Sequence, residues 1–180
     1  MSTPKLAGLC GSLRAESWNR KLMHNAVRHF GDCDFTAVDL RFPLFDEDEE
    51  TAKGVPDAVA QAAATIAAAD AVVIASPEYN QSISGVMKNA LDWISRTDGN
   101  PWLRKPVAIM SANAGRTGGA RGQYALRLCL APFRPVLAPG PEVLVAAPSK
   151  EFDEAGRLAN ELYEKALADL MSELRALATS

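Results

Sequence analysis

The sequence predicts an α/β fold in which a five-stranded parallel sheet is covered on both faces by helices. Short apolar runs, rich in small and β-branched residues, alternate with longer stretches of helical periodicity. The runs are apolar almost without interruption, as in strands buried on both faces of a parallel sheet. A length of 180 residues, 48% hydrophobic, with no long linker, favours a single domain over residues 1–180.

Each predicted strand is a run of five or six mostly apolar residues. The runs are LAGLC (6–10), FTAVDL (35–40), AVVIAS (71–76), VAIMSA (107–112) and VLVAA (143–147). Apolar residues recur every three or four positions in four other segments, which predicts four helices. These segments are 18–30, 56–69, 85–95 and 158–177.

The common order for five such strands is 2-1-3-4-5, the flavodoxin-like three-layer sandwich. In that order strands 1 and 3 are neighbours, and ligands bind beyond the carboxyl ends of the strands at this switch point. The loops after strands 1 and 3 are therefore expected to be chemically unusual. They read GSLRAESWNR (11–20) and SPEYNQSISG (76–85).

The first of these loops carries more polar groups than a helix cap requires. Free N–H groups at a helix start attract anions, and the hydroxyls, amide and cation nearby add donors. The ordinary alternative is that Ser17 only caps the helix and Arg14 is solvated. The nucleoside-triphosphate pattern G-x-x-x-x-G-K-[ST] and the dinucleotide pattern G-x-G-x-x-G are both absent, which leaves a terminal monophosphate. The candidate donors are Ser12, Arg14, Ser17 and Asn19.

Two further loops follow the third and fourth predicted strands. SPEYNQSISG can present backbone N–H groups and the ring of Tyr79 to a planar heterocycle, unless it is an ordinary turn in which Ser84 caps the next helix. SANAGRTGGARG (111–122) has four glycines, which indicate either close backbone approach to a ligand or flexibility.

Together, GSLRAESWNRKL, SPEYNQSISGVMKNALDW and SANAGRTGGARG resemble the loops of the NADPH-dependent FMN reductase family, and RFPLFDEDEE (41–50) resembles its second-strand loop. The resemblance extends over about residues 5–147. It implies a flavodoxin-like enzyme with bound FMN and with NADPH or NADH as co-substrate. It also implies that quinones, flavins, azo compounds or metal oxyanions are the electron acceptors.

The resemblance also implies roles for particular residues. The FMN phosphate would be held by Ser12, Arg14, Ser17 and Asn19. The ring and ribityl chain would be lined by Pro77, Glu78, Tyr79 and Asn80, with Ser111 and Gly115 from the next loop. Arg121, Tyr124 and Glu142 would lie between subunits of a homodimer or homotetramer, unless they are simply a solvated helix face and an acid at a strand edge.

The histidines, the tryptophans, Cys10 and the acidic run are expected to have structural or solvent-exposed roles rather than catalytic ones. Because the flavin would carry the chemistry, we expect no catalytic side chain and no metal site. His24 and His29 are five residues apart, hence on different helix faces, and we expect both to be structural or exposed. DEDEE (46–50) is expected to be a solvated loop, and Cys10 a small buried residue. Trp18, Trp93 and Trp102 are expected to be packing residues, although Trp93 and Trp102 could shape the acceptor pocket.

The net charge of −3 and the pI near 5.4 argue against nucleic-acid binding. No signal-peptide pattern and no run of about 20 apolar residues is present, so we expect no membrane span. Three cysteines without metal-like spacing suit a cytoplasmic protein. The alternatives are a flavodoxin-type electron carrier and an FMN-binding regulatory subunit. The modest charge and Arg14 in the first loop disfavour a carrier.

Overall fold

The computed structural model describes residues 3–180, which form a central parallel sheet between two layers of helices. The strands are β1 (Lys5–Cys10), β2 (Asp34–Val38), β3 (Ala71–Ala75), β4 (Glu78–Tyr79), β5 (Ser82–Ile83), β6 (Pro106–Asn113), β7 (Val136–Leu137) and β8 (Val143–Ala146). The helices are α1 (Trp18–Phe30), α2 (Glu47–Lys53), α3 (Asp57–Ala68), α4 (Gly85–Ile94), α5 (Ala120–Leu130) and α6 (Glu161–Ala178).

The main sheet has the order β2-β1-β3-β6-β8, and every pairing in it is parallel. Its register pairs Leu9 of β1 with Ile74 of β3, and Ile74 with Ile109 of β6. The predicted flavodoxin-like order is therefore confirmed, and β1 and β3 are neighbours at the switch point.

The fifth position of the sheet differs from the prediction because two short strands share it. β7 pairs with the beginning of β6, where Val107 lies opposite Leu137, and β8 pairs with its end, where Ser111 lies opposite Leu144. Between them, residues 138–142 read APGPE. Proline has no N–H to donate to a ladder, so this segment interrupts the strand.

Two apolar clusters, one on each face of the sheet, form the core. On one face α1 and α6 pack over residues such as Leu6, Val73 and Met110. On the other face α3, α4 and α5 pack over residues such as Leu9 and Ile74. Because both faces are covered, β3 is buried along its whole length, and this is why its sequence AVVIA shows no alternation.

Two helices and one hairpin lie outside the predicted set. DEDEE is not a loop: Asp46 caps α2, which runs through this acidic segment with no buried residue. Strands β4 and β5 form a hairpin within the loop after β3, with Asn80 and Gln81 at positive φ in its turn. The third is α5, which follows the glycine-rich loop. The last helix starts at Glu161 rather than at residue 158.

Candidate functional site

A cavity of about 390 Å³ opens at the carboxyl edge of the sheet, where the loops after β1, β3, β6 and β8 meet. We call it the central cavity, and its loops the first (11–17), second (76–84), third (114–119) and fourth (147–149). Ligands bind at this place in open α/β sheets. The cavity is lined by Ser12, Arg14, Ser17, Trp18, Asn19, Pro77, Tyr79, Ala112, Asn113, Ala114, Ala147, Pro148 and Ser149.

The first loop presents hydrogen-bond donors to the central cavity. Ser17 caps α1, and its hydroxyl oxygen accepts from the N–H of Arg20 at 3.4 Å, which leaves the hydroxyl hydrogen free to donate to a ligand. The next N–H groups, of Trp18 and Asn19, have no acceptor within the helix. The buried Ser12 and the exposed Arg14 line the same cavity. This set, at the positive end of a helix dipole, can bind an anion.

The side chain of Asn19 joins α1 to β6. Its amide nitrogen donates to the carbonyl of Ala112 at 2.8 Å, and its oxygen accepts from the N–H of Ala112 at 2.9 Å. Both residues are only 3% exposed. The side chain is therefore used for joining α1 to the end of β6, which leaves the backbone N–H of Asn19 as the donor that this residue can offer to the cavity.

The second loop is fixed through Glu78. Its carboxylate accepts from the N–H of Gly122 at 3.1 Å, in the first turn of α5. Gly119, the N-cap residue of α5, has no side chain to make such a bond, so Glu78 provides the cap from another part of the chain. This contact holds the β4–β5 hairpin against α5 and leaves the ring of Tyr79, 54% exposed, at the cavity wall.

The third loop is fixed through Ser111, which is fully buried. Its hydroxyl donates to the carbonyl of Gly118 at 2.6 Å and accepts from the side-chain amide of Gln123 at 3.0 Å. A Cβ on Gly118 would lie 2.4 Å from the carbonyl carbon and oxygen of Leu144, and its φ is +59°. The glycine is thus required by the close approach of the third loop to β8.

The structure brings six of the ten predicted site residues to the central cavity, namely Ser12, Arg14, Ser17, Asn19, Pro77 and Tyr79. The other four lie beside it. Glu78 and Ser111 make the loop contacts described above, Asn80 is exposed in the hairpin turn, and Gly115 is exposed in the third loop.

The fourth loop is a wall of the cavity that the sequence did not predict. Trp18 and residues 112–114 also line the cavity; they belong to the predicted loops but were not among the predicted site residues. Ala147 has φ +44°, and Pro148 follows it. The available signal was positional, because these residues follow the fifth strand at the same edge as the other loops. Trp18 stacks on Phe152, with ring centroids 5.3 Å apart.

The tryptophans and histidines for which the sequence predicts no catalytic role make contacts within the protein. Trp93 and Trp102 are buried in the core, as their packing interpretation predicts, and Trp93 donates to the carbonyl of Pro43. His29 Nε2 forms a hydrogen bond of 2.6 Å with the carboxylate of Glu164 in α6, and His24 lies edge-on to Phe35.

Cys10 lies at the end of β1 and is 8% exposed, as expected for a small buried residue. Burial raises the pKa of its thiol, although bonds to Ser12 and Ser17 oppose the shift.

The sequence pattern of the NADPH-dependent FMN reductase family matches residues 4–149. The chain belongs to the NADPH-dependent FMN reductase family. An NAD(P)H-dependent FMN reductase of Pseudomonas aeruginosa is 40% identical over 175 residues, covering 96% of this chain and 92% of that protein.

One further relative and one solved structure support membership of this family. An NAD(P)H:quinone oxidoreductase of Solanum tuberosum is 38% identical over 183 residues, covering 97% of this chain and 92% of that protein. The solved structure of the flavoenzyme NAD(P)H:(acceptor) oxidoreductase FerB of Paracoccus denitrificans superimposes with a TM-score of 0.87 at 28% identity, covering 98% of both chains.

As a member of the NADPH-dependent FMN reductase family, the chain is an oxidoreductase with FMN as its cofactor and NAD(P)H as its electron donor. The donor set at the start of α1 suits a terminal phosphate, and the open cavity beside Tyr79 suits a planar ring. No helix in the described part of the chain is long and apolar enough to cross a membrane.

Proposed function

We propose that this enzyme transfers the electrons of NAD(P)H to quinones, producing NAD(P)⁺ and the hydroquinone. Bound FMN would supply the hydride chemistry between the nicotinamide and the quinone, and a proton from solvent would complete the hydroquinone. The observation that carries the proposal is the open central cavity, which has phosphate donors at one end and the exposed ring of Tyr79 at its wall. The quinone oxidoreductase relative from Solanum tuberosum supports the acceptor class.

We propose that the FMN phosphate is held by the first loop and the start of α1. The hydroxyls of Ser12 and Ser17 and the guanidinium of Arg14 provide donors from side chains. Asn19 contributes its backbone N–H, because its side chain is bonded to Ala112. The helix dipole adds a favourable positive potential at the same point.

The flavin ring would be positioned by the second and third loops. Pro77 and Tyr79 line the cavity directly. Glu78 and Ser111 act by fixing the two loops, since their side chains are already bonded within the protein. Asn80 and Gly115 are exposed near the cavity and are available to a ligand that extends beyond it.

We further propose a homodimer or homotetramer in the cytoplasm. The exposed face of α5 carries Arg121, Tyr124 (59% exposed) and Leu128 (75% exposed), and the exposed Glu142 precedes β8. Large exposed apolar side chains on one helix face are typical of interfaces. The free thiols of Cys10, Cys33 and Cys129 support a reducing compartment. Sedimentation of the wild type beside Tyr124→Ser tests the assembly, because loss of the aromatic contact should shift it toward monomer.

The function is tested by anaerobic stopped-flow absorbance on the FMN-loaded protein. NADPH should bleach the flavin, and a quinone added afterwards should restore its colour with formation of hydroquinone. Bleaching that a quinone does not reverse would refute the quinone proposal.

The phosphate site is tested with Arg14→Ala. A hydrogen bond to a charged group contributes about 1.5–3 kcal/mol, so FMN affinity should fall by about one to two orders of magnitude. Isothermal titration of the apoprotein with FMN measures this change. Arg134→Ala is the matched control, since Arg134 is exposed near the amino ends of the strands. An unchanged FMN affinity in Arg14→Ala would remove this residue from the phosphate site.

A further inference from the structure

A second, smaller cavity lies on the other side of the first loop. It lies between α1 and the segment that follows β2, and it shares Ser12 with the central cavity. We call it the arginine cavity, after Arg20 and Arg41 in its wall; His24 and Asp39 also line it. Its volume of about 190 Å³ is below the roughly 300–1,000 Å³ of pockets that enclose a whole ligand. It therefore suits one terminal group of a larger molecule.

The charge of the arginine cavity is unbalanced. Arg41 is bonded on two sides, to the carboxylate of Asp39 at 3.1 Å and to the carbonyl of Leu13 at 3.4 Å. The half-buried guanidinium of Arg20 has no hydrogen bond or ion pair with any side chain in residues 3–180. Two arginines against one aspartate make this place locally positive in a chain whose net charge is −3.

The orientation of α1 separates this cation from the FMN phosphate site. Arg20 and His24 are four residues apart, so they lie on one helix face. His24 contacts the ring of Phe35 in β2, with centroids 5.9 Å apart. That face is therefore turned toward β2 rather than toward β6, where the side chain of Asn19 is bonded to Ala112.

We propose that the arginine cavity binds the 2′-phosphate of NADPH and that Arg20 is the residue that recognises it. The inference rests on the proposed function, in which the nicotinamide of the nucleotide is the hydride donor to FMN. A phosphate monoester is the kind of group that guanidinium binds best, through paired charge-assisted hydrogen bonds. The cavity adjoins the central cavity at Ser12, so the adenylate end of the same nucleotide can extend into it.

The test is steady-state kinetics of Arg20→Gln with NADPH and with NADH, using one quinone as acceptor. The KM for NADPH should rise about tenfold or more, because a charge-assisted bond is lost. The KM for NADH, the kcat with either nucleotide and the FMN content should stay unchanged. Arg20 is preferred to Arg41 because Arg41 also holds the first loop through Leu13. Arg134→Gln is the matched control for loss of one positive charge.

A second measurement does not depend on the variant folding well. In the wild type, 2′-AMP should compete with NADPH at least tenfold more strongly than 5′-AMP, and inorganic phosphate should compete weakly. Arg20→Gln should lose most of that difference. Equal inhibition by the two nucleotides in the wild type would overturn the proposal. So would equal rises in both KM values, which would indicate a group shared by NADPH and NADH, or a loss of FMN, which would place Arg20 at the cofactor phosphate.

These failures are distinct from a failure of the proposed function. Turnover of the quinone with NADH measures that function independently of any 2′-phosphate. An enzyme that reduces quinone with NADH and shows no dependence on Arg20 would keep the proposed function and lose this inference.

Discussion

Asn19→Ala is expected to destabilise the protein before any cofactor is bound. The substitution removes the two hydrogen bonds between the Asn19 side chain and the backbone of Ala112. Ala112 is 3% exposed, so its N–H and C=O would be left buried and unpaired. Leaving a buried polar group unsatisfied costs about 1–3 kcal/mol, which gives about 2–6 kcal/mol for the pair. This is a large part of the roughly 5–15 kcal/mol by which a typical domain is stable.

The assay is urea unfolding of the apoprotein, followed by titration of the folded fraction with FMN. Asn89→Ala is the matched control, because Asn89 makes the same kind of amide pair to backbone, with Phe45 and Pro43, on a more exposed site. We expect a smaller loss of stability from it and unchanged FMN affinity. The reasoning is wrong if the Asn19→Ala apoprotein unfolds at the same urea concentration as the wild type and only the FMN affinity falls. Asn19 would then be a ligand of the cofactor and not a structural link between α1 and β6.

Three further expectations concern single side chains around the cavity. Gly118→Ala should destabilise the fold by several kcal/mol or prevent expression, because at positive φ its Cβ would clash with the backbone of Leu144. Gly115→Ala would make only an ordinary contact, 3.8 Å from the side-chain nitrogen of Asn113, and should be within about 0.5 kcal/mol of the wild type in stability. Glu78→Ala should cost about 0.5–2 kcal/mol in urea unfolding through loss of the cap on α5, and Glu78→Gln, which keeps an acceptor, should recover most of it; equal losses in both would contradict the capping role. In a Cys33→Ser/Cys129→Ser variant, Cys10 is the remaining thiol, and burial raises its pKa. It should react with iodoacetamide at pH 8 far more slowly in the native variant than in the urea-unfolded variant. Equal rates would show that the thiol is accessible in the folded protein.

The parallel sheet could be predicted because its strands are buried on both sides. A run such as AVVIA (71–75) has no polar position, and only a covered sheet accepts that pattern. The acidic helix α2 escaped prediction because it has no apolar face to create a periodicity. The sequence nonetheless carries residues typical of both helix ends, since Asp46 caps the start and Gly54, at φ +79°, follows the end.

The candidate site was predictable as a set of loops but not as a set of contacts. The position of each loop follows from the strand before it. The partner of a polar side chain does not: Asn19 bonds to Ala112, 93 residues away, and Glu78 bonds to Gly122, 44 residues away. Asn and Glu are each able to bind a ligand or a backbone group, and only the folded arrangement decides between them.

The loop contacts through Asn19, Glu78 and Ser111 have a consequence for cofactor exchange. Each connects a wall of the central cavity to a strand or helix of the scaffold, so the walls are ordered in the absence of ligand. A preorganised pocket loses little conformational entropy on binding. FMN should therefore enter and leave without refolding of its site, and the amide protons of Ala112 and Gly122 should exchange slowly with solvent even in the apoprotein.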